Sequence, residues 1–287
     1  AGLVYGDVSP SNAYIGDGEP CDVWLIDADN LRSERVAEGP SVFSPQYGAP
    51  EVVRGEDSSR PYSDIWAFSV MAFQMLTLVH PFIGRAVLDP DSDSGGWDSD
   101  DWDSPSTDSK PADLDEQAYM GYLPFIDDDL DDSNEGMEVL PRELVLTPLL
   151  QRLYQETLGI GRVKYWRRSA MALWALALAQ AHDHMLVCPS CGMSYYNSEP
   201  ECPFCGDTLP AHFLAKTEHW SMVLQTNGLH GETILPHRLF NVFSLEHGDD
   251  PAFEASLDCE RRWVKPVRGT SKFPDGITFT YVEGGRK

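Results

Sequence analysis

The chain has 287 residues, of which 21 are Lys or Arg and 46 are Asp or Glu, so its formal net charge is −25. An acidic chain is repelled by nucleic acid and by anionic membranes, which excludes both as general partners. With 42% hydrophobic residues it can bury one sizeable core, and its length suits one medium domain with one or two small modules. No signal peptide opens the sequence, and its longest apolar run, 170–179, is about half of the ~20 residues that a membrane-spanning helix needs. These features predict a soluble cytoplasmic protein.

The first predicted element is a β-hairpin with carboxylates at its mouth. Strand-like residues 13–15 are followed by a Gly-Asp-Gly turn and a second strand over 23–26. Asp7 and Asn12 precede the first strand, and Asp27 follows the second. Phosphoryl transfer from ATP needs a carboxylate to accept the proton of the substrate hydroxyl, and an Asn and an Asp to hold Mg²⁺ on the phosphates. The residue types and their order therefore predict a site for Mg²⁺ with ATP.

Three further motifs follow in the chain. They are Tyr-Gly-Ala-Pro-Glu at 47–51, Ser-Asp-Ile-Trp-Ala-Phe-Ser at 63–69, and Pro-Phe at 81–82. The apolar stretch 64–78 predicts a buried helix. The step from Asp7 to Asn12 is 12 − 7 = 5 residues, as in the kinase catalytic loop H-R-D-x-x-x-x-N. Taken together, the motifs resemble the C-terminal lobe of a eukaryotic-type protein kinase, over about residues 1–187.

This resemblance implies roles for six residues. Asp7 is the proton acceptor, and Asn12 and Asp27 are the ligands that hold Mg²⁺ with ATP. The remaining three are structural: Asp64 braces the backbone of the catalytic loop, while Glu51 forms a buried ion pair with an arginine just before the last helices, for which Arg162 is the candidate.

Several positions depart from the kinase pattern. Tyr5 and Gly6 replace the His and Arg of the catalytic loop, so that loop has no arginine to receive an activation-loop phosphate. Ser9 stands where Ser/Thr kinases usually have a lysine, which predicts some loss of transition-state stabilisation. Ala28 and Asp29 replace the Phe and Gly that follow the metal-binding Asp. We expect only weak dependence on phosphorylation of the candidate acceptors in the activation segment, Ser33, Ser41 and Ser44.

The glycine-rich loop, the strand lysine and the helix glutamate that complete a kinase ATP site would all precede residue 1. We therefore expect the chain to be a fragment without the N-terminal lobe, inactive by itself, with the kinase activity belonging to its parent protein.

An acidic insertion is predicted over about 89–132, which contains 16 acidic residues and one base, so it carries 1 − 16 = −15 of the net charge. The Asp-Ser-Gly repetition within 89–105 has no helical or strand period and predicts a solvated loop. A calcium loop starting at Asp89 is the alternative, but Ser94 stands where glycine is required and Asp100 where glutamate is required. The insertion is interpreted as a binding arm for basic proteins or divalent ions, or as a device for solubility. After it, 140–187 is predicted to be helical, with a long helix from about residue 163.

Two CPxCG motifs predict a zinc ribbon over 188–207. They are separated by 202 − 191 − 1 = 10 residues. Four thiolates form a closed tetrahedral zinc site that has no open position for catalysis. A redox role for two dithiols is the alternative, and the lack of a βαβ context disfavours it. The predicted zinc ligands are Cys188, Cys191, Cys202 and Cys205, whereas Cys21 and Cys259 are expected to be ordinary thiols.

The predicted fold class is therefore α+β and multidomain. A mainly α kinase C-terminal lobe occupies 1–187, the four-cysteine zinc ribbon 188–207, and a small β module 208–287. A kinase lobe that continues into a CPxCG ribbon resembles the bacterial kinases of tellurite-resistance-type stress operons. That resemblance implies a signalling transferase that phosphorylates proteins, with a von Willebrand-type protein and a protein phosphatase as partners.

Two other function classes remain open at this stage. One is a pseudokinase, a scaffold that binds partners through the lobe, ribbon and β module. Retention of Asp7, Asn12 and Asp27 favours the enzyme, whereas the changes at Gly6 and Ser9 favour the scaffold. The other is nucleic-acid binding through the ribbon, which the acidic residues around its knuckles disfavour.

Overall fold

The computed structural model describes residues 2–16, 23–34, 41–89, 114–136, 139–218, 220–225, 233–237, 253–258, 261–266 and 276–285. The chain divides into two compact units, Ala1–Arg142 with Pro148–Met171 and Glu143–Thr147 with Ala172–Lys287. Helices and small sheets are mixed, as the predicted α+β class requires. The domain bounds at 187 and 207 stay predictions. The proposed calcium loop, of which only Asp89 is described, lies outside these residues, as do Cys21 and Cys259.

Two small antiparallel sheets open the first unit. Strand β1 (Leu3–Val4) pairs with a strand that follows the hairpin, β4 (Arg32–Ser33). Strand β2 (Ala13–Ile15) pairs with β3 (Val23–Leu25) in the predicted hairpin. The backbone amide of Ile26 donates to the carbonyl of Asn12 at 3.0 Å, which extends the hairpin by one pair. Because β2 begins where β3 ends, Asn12 and Asp27 lie at the same end of the hairpin.

The helices in the described part of the chain are mostly short. They are α1 (Pro50–Val53), α2 (Pro61–Thr77), α3 (Arg85–Leu88), α4 (Leu114–Tyr119), α5 (Arg142–Val145), α6 (Pro148–Tyr154), α7 (Gly161–Val163) and α8 (Met171–Asp183). A π-helix, Gln155–Ile160, connects α6 to α7, and a 3₁₀ turn, Tyr165–Arg167, follows α7.

Helix α2 is the centre of the first unit and confirms the predicted buried helix. Proline occupies its first turn, and the Ser63 hydroxyl accepts a hydrogen bond from the backbone amide of Arg60 at 2.8 Å, which caps the N-terminus. Trp66 and Phe73 are fully buried in its middle. Trp66 stacks on Phe82 at 5.1 Å, and Phe73 meets Tyr154 edge-on at 5.0 Å. These aromatic contacts hold α2 under the loops that carry the candidate site.

The long helix predicted from about residue 163 is wrong. Helix α7 ends at Val163, and α8 begins only at Met171. Between them Arg168 has an extended backbone, with φ −62° and ψ 133°. The chain leaves the helical path here because the Arg168 side chain turns inward to a buried carboxylate, described below.

The second unit combines a hairpin with two three-stranded sheets. Strands β5 (Met185–Val187) and β6 (Ser194–Tyr196) form the hairpin. One sheet has the order β12–β7–β8 and the other β11–β10–β9, all antiparallel. Their bounds are β7 (His212–Lys216), β8 (Ser221–Gln225), β9 (Thr233–His237), β10 (Phe253–Asp258), β11 (Trp263–Pro266) and β12 (Thr278–Val282).

The hairpin of the second unit packs against the first of these sheets. Val223 of β8 packs on the buried cluster that contains Leu186 and Tyr195 of the hairpin. His184, at the end of α8, makes a 2.9 Å hydrogen bond through Nε2 with the Ser221 hydroxyl. The hairpin therefore has apolar and polar support from the β module.

Candidate functional site

Asp7 and Asn12 are joined directly in the first unit. The Asn12 Nδ2 group donates to the backbone carbonyl of Asp7 at 2.9 Å and to its Oδ2 atom at 3.0 Å. A 3₁₀ turn, Pro10–Asn12, with proline at its first position, brings the two side chains together over their five-residue spacing. Both bonds use the amide nitrogen, so the amide oxygen of Asn12 takes no part in them and is suited to a cation.

Ser44 makes a second contact with Asp7 that the sequence analysis missed. Its backbone amide donates to Asp7 Oδ1 at 2.8 Å, and its hydroxyl donates to the same oxygen at 2.9 Å. From the sequence, Ser44 was predicted only as a candidate phosphoacceptor. Its position three residues before the Tyr-Gly-Ala-Pro-Glu motif was the available signal. Three donors therefore fix the orientation of the Asp7 carboxylate.

Asp64, in the first turn of α2, binds the backbone next to Asp7. Its Oδ2 atom accepts from the amide of Tyr5 at 2.7 Å and its Oδ1 atom from the amide of Gly6 at 2.9 Å. Burial raises the pKa of Asp64, while the two amides and the charge of Arg32 oppose that rise. Gly6 has φ +89°, a conformation that a side chain at this position would strain. Asp64 thus lies where the kinase resemblance places the bracing carboxylate.

Asp27 follows the end of β3 in a left-handed conformation, with φ 60° and ψ 52°. Non-glycine residues rarely adopt this region, and they do so mainly where the surrounding structure imposes it. The Tyr5 hydroxyl donates to the carbonyl of Ile26, the residue before Asp27. The pKa of Tyr5 is raised first by burial and then by the charges of Asp27 and Asp7. Both carboxylates therefore lie near the Tyr5 hydroxyl.

Ser9, which stands where kinases usually have a lysine, is buried beside Ser11. Ser9 is 2% exposed, and its hydroxyl is hydrogen-bonded to that of Ser11 at 2.9 Å. Arg32 donates to the carbonyl of Ser59 at 3.1 Å. Its positive charge also lies near Asp64, the carboxylate that holds the backbone of Tyr5 and Gly6. The expected weakness in neutralising a transferred phosphate stays a prediction.

The predicted partner of Glu51 is corrected by the structure. Glu51 pairs with Arg168, not with Arg162, through two parallel bonds of 2.7 Å. Arg168 also donates to the carbonyls of Tyr62 and Gly161, each at 3.0 Å. The side chain of Arg168 is 0% exposed, so the ion pair is buried. All three guanidinium nitrogens of Arg168 donate hydrogen bonds.

Arg168 was missed because the sequence analysis assumed a continuous helix through this region. Its guanidinium also lies 4.8 Å from the centre of the Trp66 ring, which adds a cation–π contact. Arg162 instead donates to the carbonyl of Gly121 at 2.9 Å and lies near Asp128 and Asp131. The available signal was the position of Arg168, three residues before the start of α8 at Met171.

His80 fixes the loop that follows Ser44. Its Nδ1 atom accepts from the amide of Phe82 at 3.3 Å, which leaves Nε2–H to donate to the carbonyl of Gln46 at 3.1 Å. Tyr119 of α4 covers the ring edge-on at 5.1 Å. Burial lowers the pKa of His80 to about 4, so the ring is neutral at pH 7.

The four predicted zinc ligands come together in the second unit. Their Sγ atoms all lie within 4.8 Å of one another, with Cys188 and Cys205 at 3.6 Å and Cys191 and Cys202 at 3.6 Å. Among the residues that the structure describes, no other group of metal-binding side chains is found.

Both CPxCG motifs turn at their glycine, and in the first motif the backbone favours a thiolate at Cys188. Gly192 and Gly206 have φ +74° and φ +69°, and their amides donate to the carbonyls of Cys188 and Cys202. Hydrogen bonds from backbone amides, first that of Cys191, lower the pKa of the Cys188 thiol to about 7. Four sulfur donors at this separation fit a tetrahedral Zn²⁺ ion. The cluster is therefore compatible with the predicted zinc ribbon.

Comparisons with known proteins find partial similarity to Ser/Thr protein kinases. The chain is 30% identical over 91 residues to the G2-specific protein kinase fin1 of Schizosaccharomyces pombe, covering 30% of this chain and 12% of that protein. It is 35% identical over 92 residues to the serine/threonine-protein kinase PknL of Mycobacterium tuberculosis, covering 31% and 22%. It is 30% identical over 91 residues to mitogen-activated protein kinase kinase kinase 18 of Arabidopsis thaliana, covering 32% and 26%. No family model matches the sequence.

These matches support a kinase-related function. The chain spans only 12% to 26% of the lengths of these three relatives, so the activity of the whole protein is a matter for proposal. Among the described residues, no helix is both long enough and apolar enough to cross a bilayer.

Proposed function

We propose that this chain carries the catalytic and Mg²⁺-binding residues of an ATP-dependent Ser/Thr protein kinase. The observation that carries the proposal is the paired geometry of Asp7 and Asn12, with Asp64 holding the backbone beside them. In kinases, Mg²⁺ with ATP supplies the phosphoryl group and neutralises its charge. Here Asn12 and Asp27 would hold the ion.

The hydrogen bonds favour one oxygen of Asp7 as the proposed proton acceptor. Oδ1 already receives two donors from Ser44, whereas Oδ2 receives one from Asn12. A carboxylate oxygen has two lone pairs, so Oδ2 keeps one for the hydroxyl of the protein substrate. That hydroxyl would donate its proton to Oδ2 as it attacks the phosphoryl group.

A pseudokinase scaffold is the second candidate. The observation in its favour is Ser9, which is buried and leaves the kinase lysine position without a cation. In that case the lobe would bind partners and would not transfer phosphate at a useful rate.

The biological setting is the finer part of the proposal. The continuation of a kinase-like lobe into a CPxCG ribbon supports a cytoplasmic bacterial stress-signalling system of the tellurite-resistance type. The ribbon and the β module would recognise partners, among them a von Willebrand-type protein and a protein phosphatase.

Phosphate incorporation from labelled Mg·ATP by the full-length gene product tests the two candidates. If the protein is a kinase, Asp7→Asn should lower the rate of phosphate incorporation about 100-fold or more, because the substitution removes the proton acceptor. Asp129→Asn changes an exposed aspartate, so it is the matched control and keeps wild-type incorporation. Absence of incorporation from a folded, zinc-loaded wild type would support the scaffold instead.

A further inference from the structure

One segment, from the π-helix into α8, is basic although the chain as a whole is acidic. Residues 157–182 contain no Asp or Glu but four arginines and lysines, whereas the whole chain has 46 acidic and 21 basic residues. Arg168 is used by the buried pair with Glu51, and Arg162 lies against Asp128 and Asp131. The other two bases, Lys164 and Arg167, are therefore the ones available at the surface.

Lys164 and Arg167 are both exposed on the 3₁₀ turn after α7. Within the described ranges, neither makes an ion pair: the salt bridges nearest in sequence are those of Arg152 and Arg168. Two unpaired cations on a surface that is otherwise strongly acidic concentrate positive potential in one place.

The same turn exposes apolar side chains in a fixed arrangement. Trp166 is 60% exposed and Val163 is 67% exposed. The Trp166 ring stands edge-on to Tyr165 at 5.1 Å, and Tyr165 in turn lies 5.6 Å from Tyr62 of α2. This aromatic row connects the exposed indole to the core helix. Ordering the indole on binding therefore costs little conformational entropy.

We propose that this basic aromatic patch, formed by Tyr62, Val163, Lys164, Tyr165, Trp166 and Arg167, is a docking site for a short acidic segment of a partner protein. The two cations select carboxylates, and the exposed Trp166 and Val163 select apolar side chains between them. Tryptophan, tyrosine and arginine are the residues that most often dominate the binding energy of protein interfaces. The proposal is independent of phosphate transfer.

The net charge argues for a short segment rather than an extended polyanion. DNA, RNA and anionic membranes present negative charge well beyond the patch, where a chain of net charge −25 repels them. A peptide that covers only the patch avoids that repulsion. Its carboxylates also gain from steering toward the local positive potential.

Fluorescence anisotropy with the zinc-loaded chain tests the proposal. The probe is a labelled synthetic peptide rich in Asp, Glu and Leu and free of tryptophan. The test variant is Lys164→Glu/Arg167→Glu. The control is Arg152→Glu/Lys216→Glu, which replaces two other exposed bases and gives the same net charge, −25 − 4 = −29. We expect the test variant to bind at least about tenfold more weakly than the control.

A second pair of variants tests the aromatic contribution. Trp166→Ala should weaken binding about 30-fold, the usual size for a central interface residue. Trp24→Ala removes a tryptophan that is similarly exposed, at 61%, and should leave binding unchanged. If Lys164→Glu/Arg167→Glu does not keep the unfolding midpoint of the wild type, Lys164→Gln/Arg167→Gln takes its place, because it removes the two charges without reversing them.

Three results would overturn the proposal. Equal weakening in both charge-reversed variants would assign the effect to net charge alone. No measurable binding of the peptide to the wild type would remove the docking site. Tighter binding to anionic phospholipid vesicles or to a DNA duplex, with the same sensitivity to Trp166→Ala, would assign the patch to another class of partner.

Discussion

Ser44 donates both its backbone amide and its hydroxyl to one oxygen of Asp7, at 2.8 Å and 2.9 Å. The loop that carries Ser44 is therefore fastened to the candidate catalytic carboxylate. A phosphate on Ser44 would remove the hydroxyl donor and bring about two negative charges next to Asp7. Modification of Ser44 is therefore expected to inhibit, in contrast to the activating role that phosphorylation has in many kinases.

The first prediction concerns this contact. Ser44→Ala should lower the rate of phosphate incorporation by the full-length protein about tenfold, since it removes one hydrogen bond to a charged group and keeps the backbone one. Ser44→Thr should keep most of the rate, and Ser44→Asp should abolish it through like-charge repulsion.

Ser41→Ala is the matched control for this prediction. The Ser41 hydroxyl accepts from the backbone amide of Ser59 at 3.1 Å, and among the described residues no hydrogen bond joins it to Asp7. We expect incorporation within about twofold of wild type. Equal losses in Ser41→Ala and Ser44→Ala would contradict a specific role for the Ser44 contact.

The second prediction compares Arg168, which pairs with Glu51 in the structure, with Arg162, the partner that the sequence predicted. Arg168→Met should lower the free energy of unfolding by about 3–5 kcal/mol, because it leaves the Glu51 carboxylate buried without its partner. Arg162→Met should lower it by only about 1 kcal/mol, the usual contribution of one hydrogen bond, here to Gly121. Urea unfolding measures both, and a larger loss in Arg162→Met would refute the assignment.

The third prediction concerns the cysteine cluster. The purified chain should bind about one Zn²⁺, and chelation should unfold the β5–β6 hairpin first, because metal binding supplies much of the folding energy of such a small ribbon. Faster amide hydrogen exchange over residues 185–196 reports the loss. Cys202→Ser should reduce zinc content, whereas Cys259→Ser should not. Undiminished zinc in Cys202→Ser would exclude the four-thiolate site.

Local patterns predicted the parts of this protein whose structure is set by nearby residues. The hairpin followed from two short apolar runs around a glycine turn, and the carboxylates at its mouth followed from their positions at the strand ends. The cysteine cluster followed from spacing alone, since a CPxCG motif presents both sulfurs on one side of a turn.

Contacts between distant residues were not predictable in the same way. Glu51 and Arg168 are 117 residues apart, and the choice between Arg162 and Arg168 depended on where a helix ended. Residues 163–170 contain no Gly or Pro to mark that end. The bond from Ser44 to Asp7 likewise depends on a loop path that the composition of the loop does not specify.

The fourth prediction concerns acid stability and His80. Burial lowers its pKa to about 4 in the folded chain, below the ordinary value of 6.5. Between pH 6.5 and 4 the unfolded chain therefore binds a proton that the folded chain does not. The free energy of unfolding should therefore fall by about 2 kcal/mol as the pH falls through this window. This is less than the full pKa difference would give, because solvent screens a ring that is partly exposed.

Two variants, His80→Gln and His182→Gln, test the neutral state of His80. Their effects on stability are expected to have opposite signs, because burial lowers the pKa of His80 whereas the pKa of His182 is raised. His80→Gln removes the titrating ring, so its unfolding free energy should depend less on pH between 6.5 and 4. A hydrogen bond to Asp183 raises the pKa of His182, so that residue stabilises the fold below pH 6.5. As the pH falls toward 6.5 the wild type should therefore gain stability that His182→Gln does not gain, whereas between pH 6.5 and 4 the two profiles should run parallel. Thiolate protonation in the zinc ribbon is common to all three proteins and cancels in the differences between their pH profiles. If His80→Gln and wild type gave parallel profiles, the neutral, buried state of His80 would be wrong.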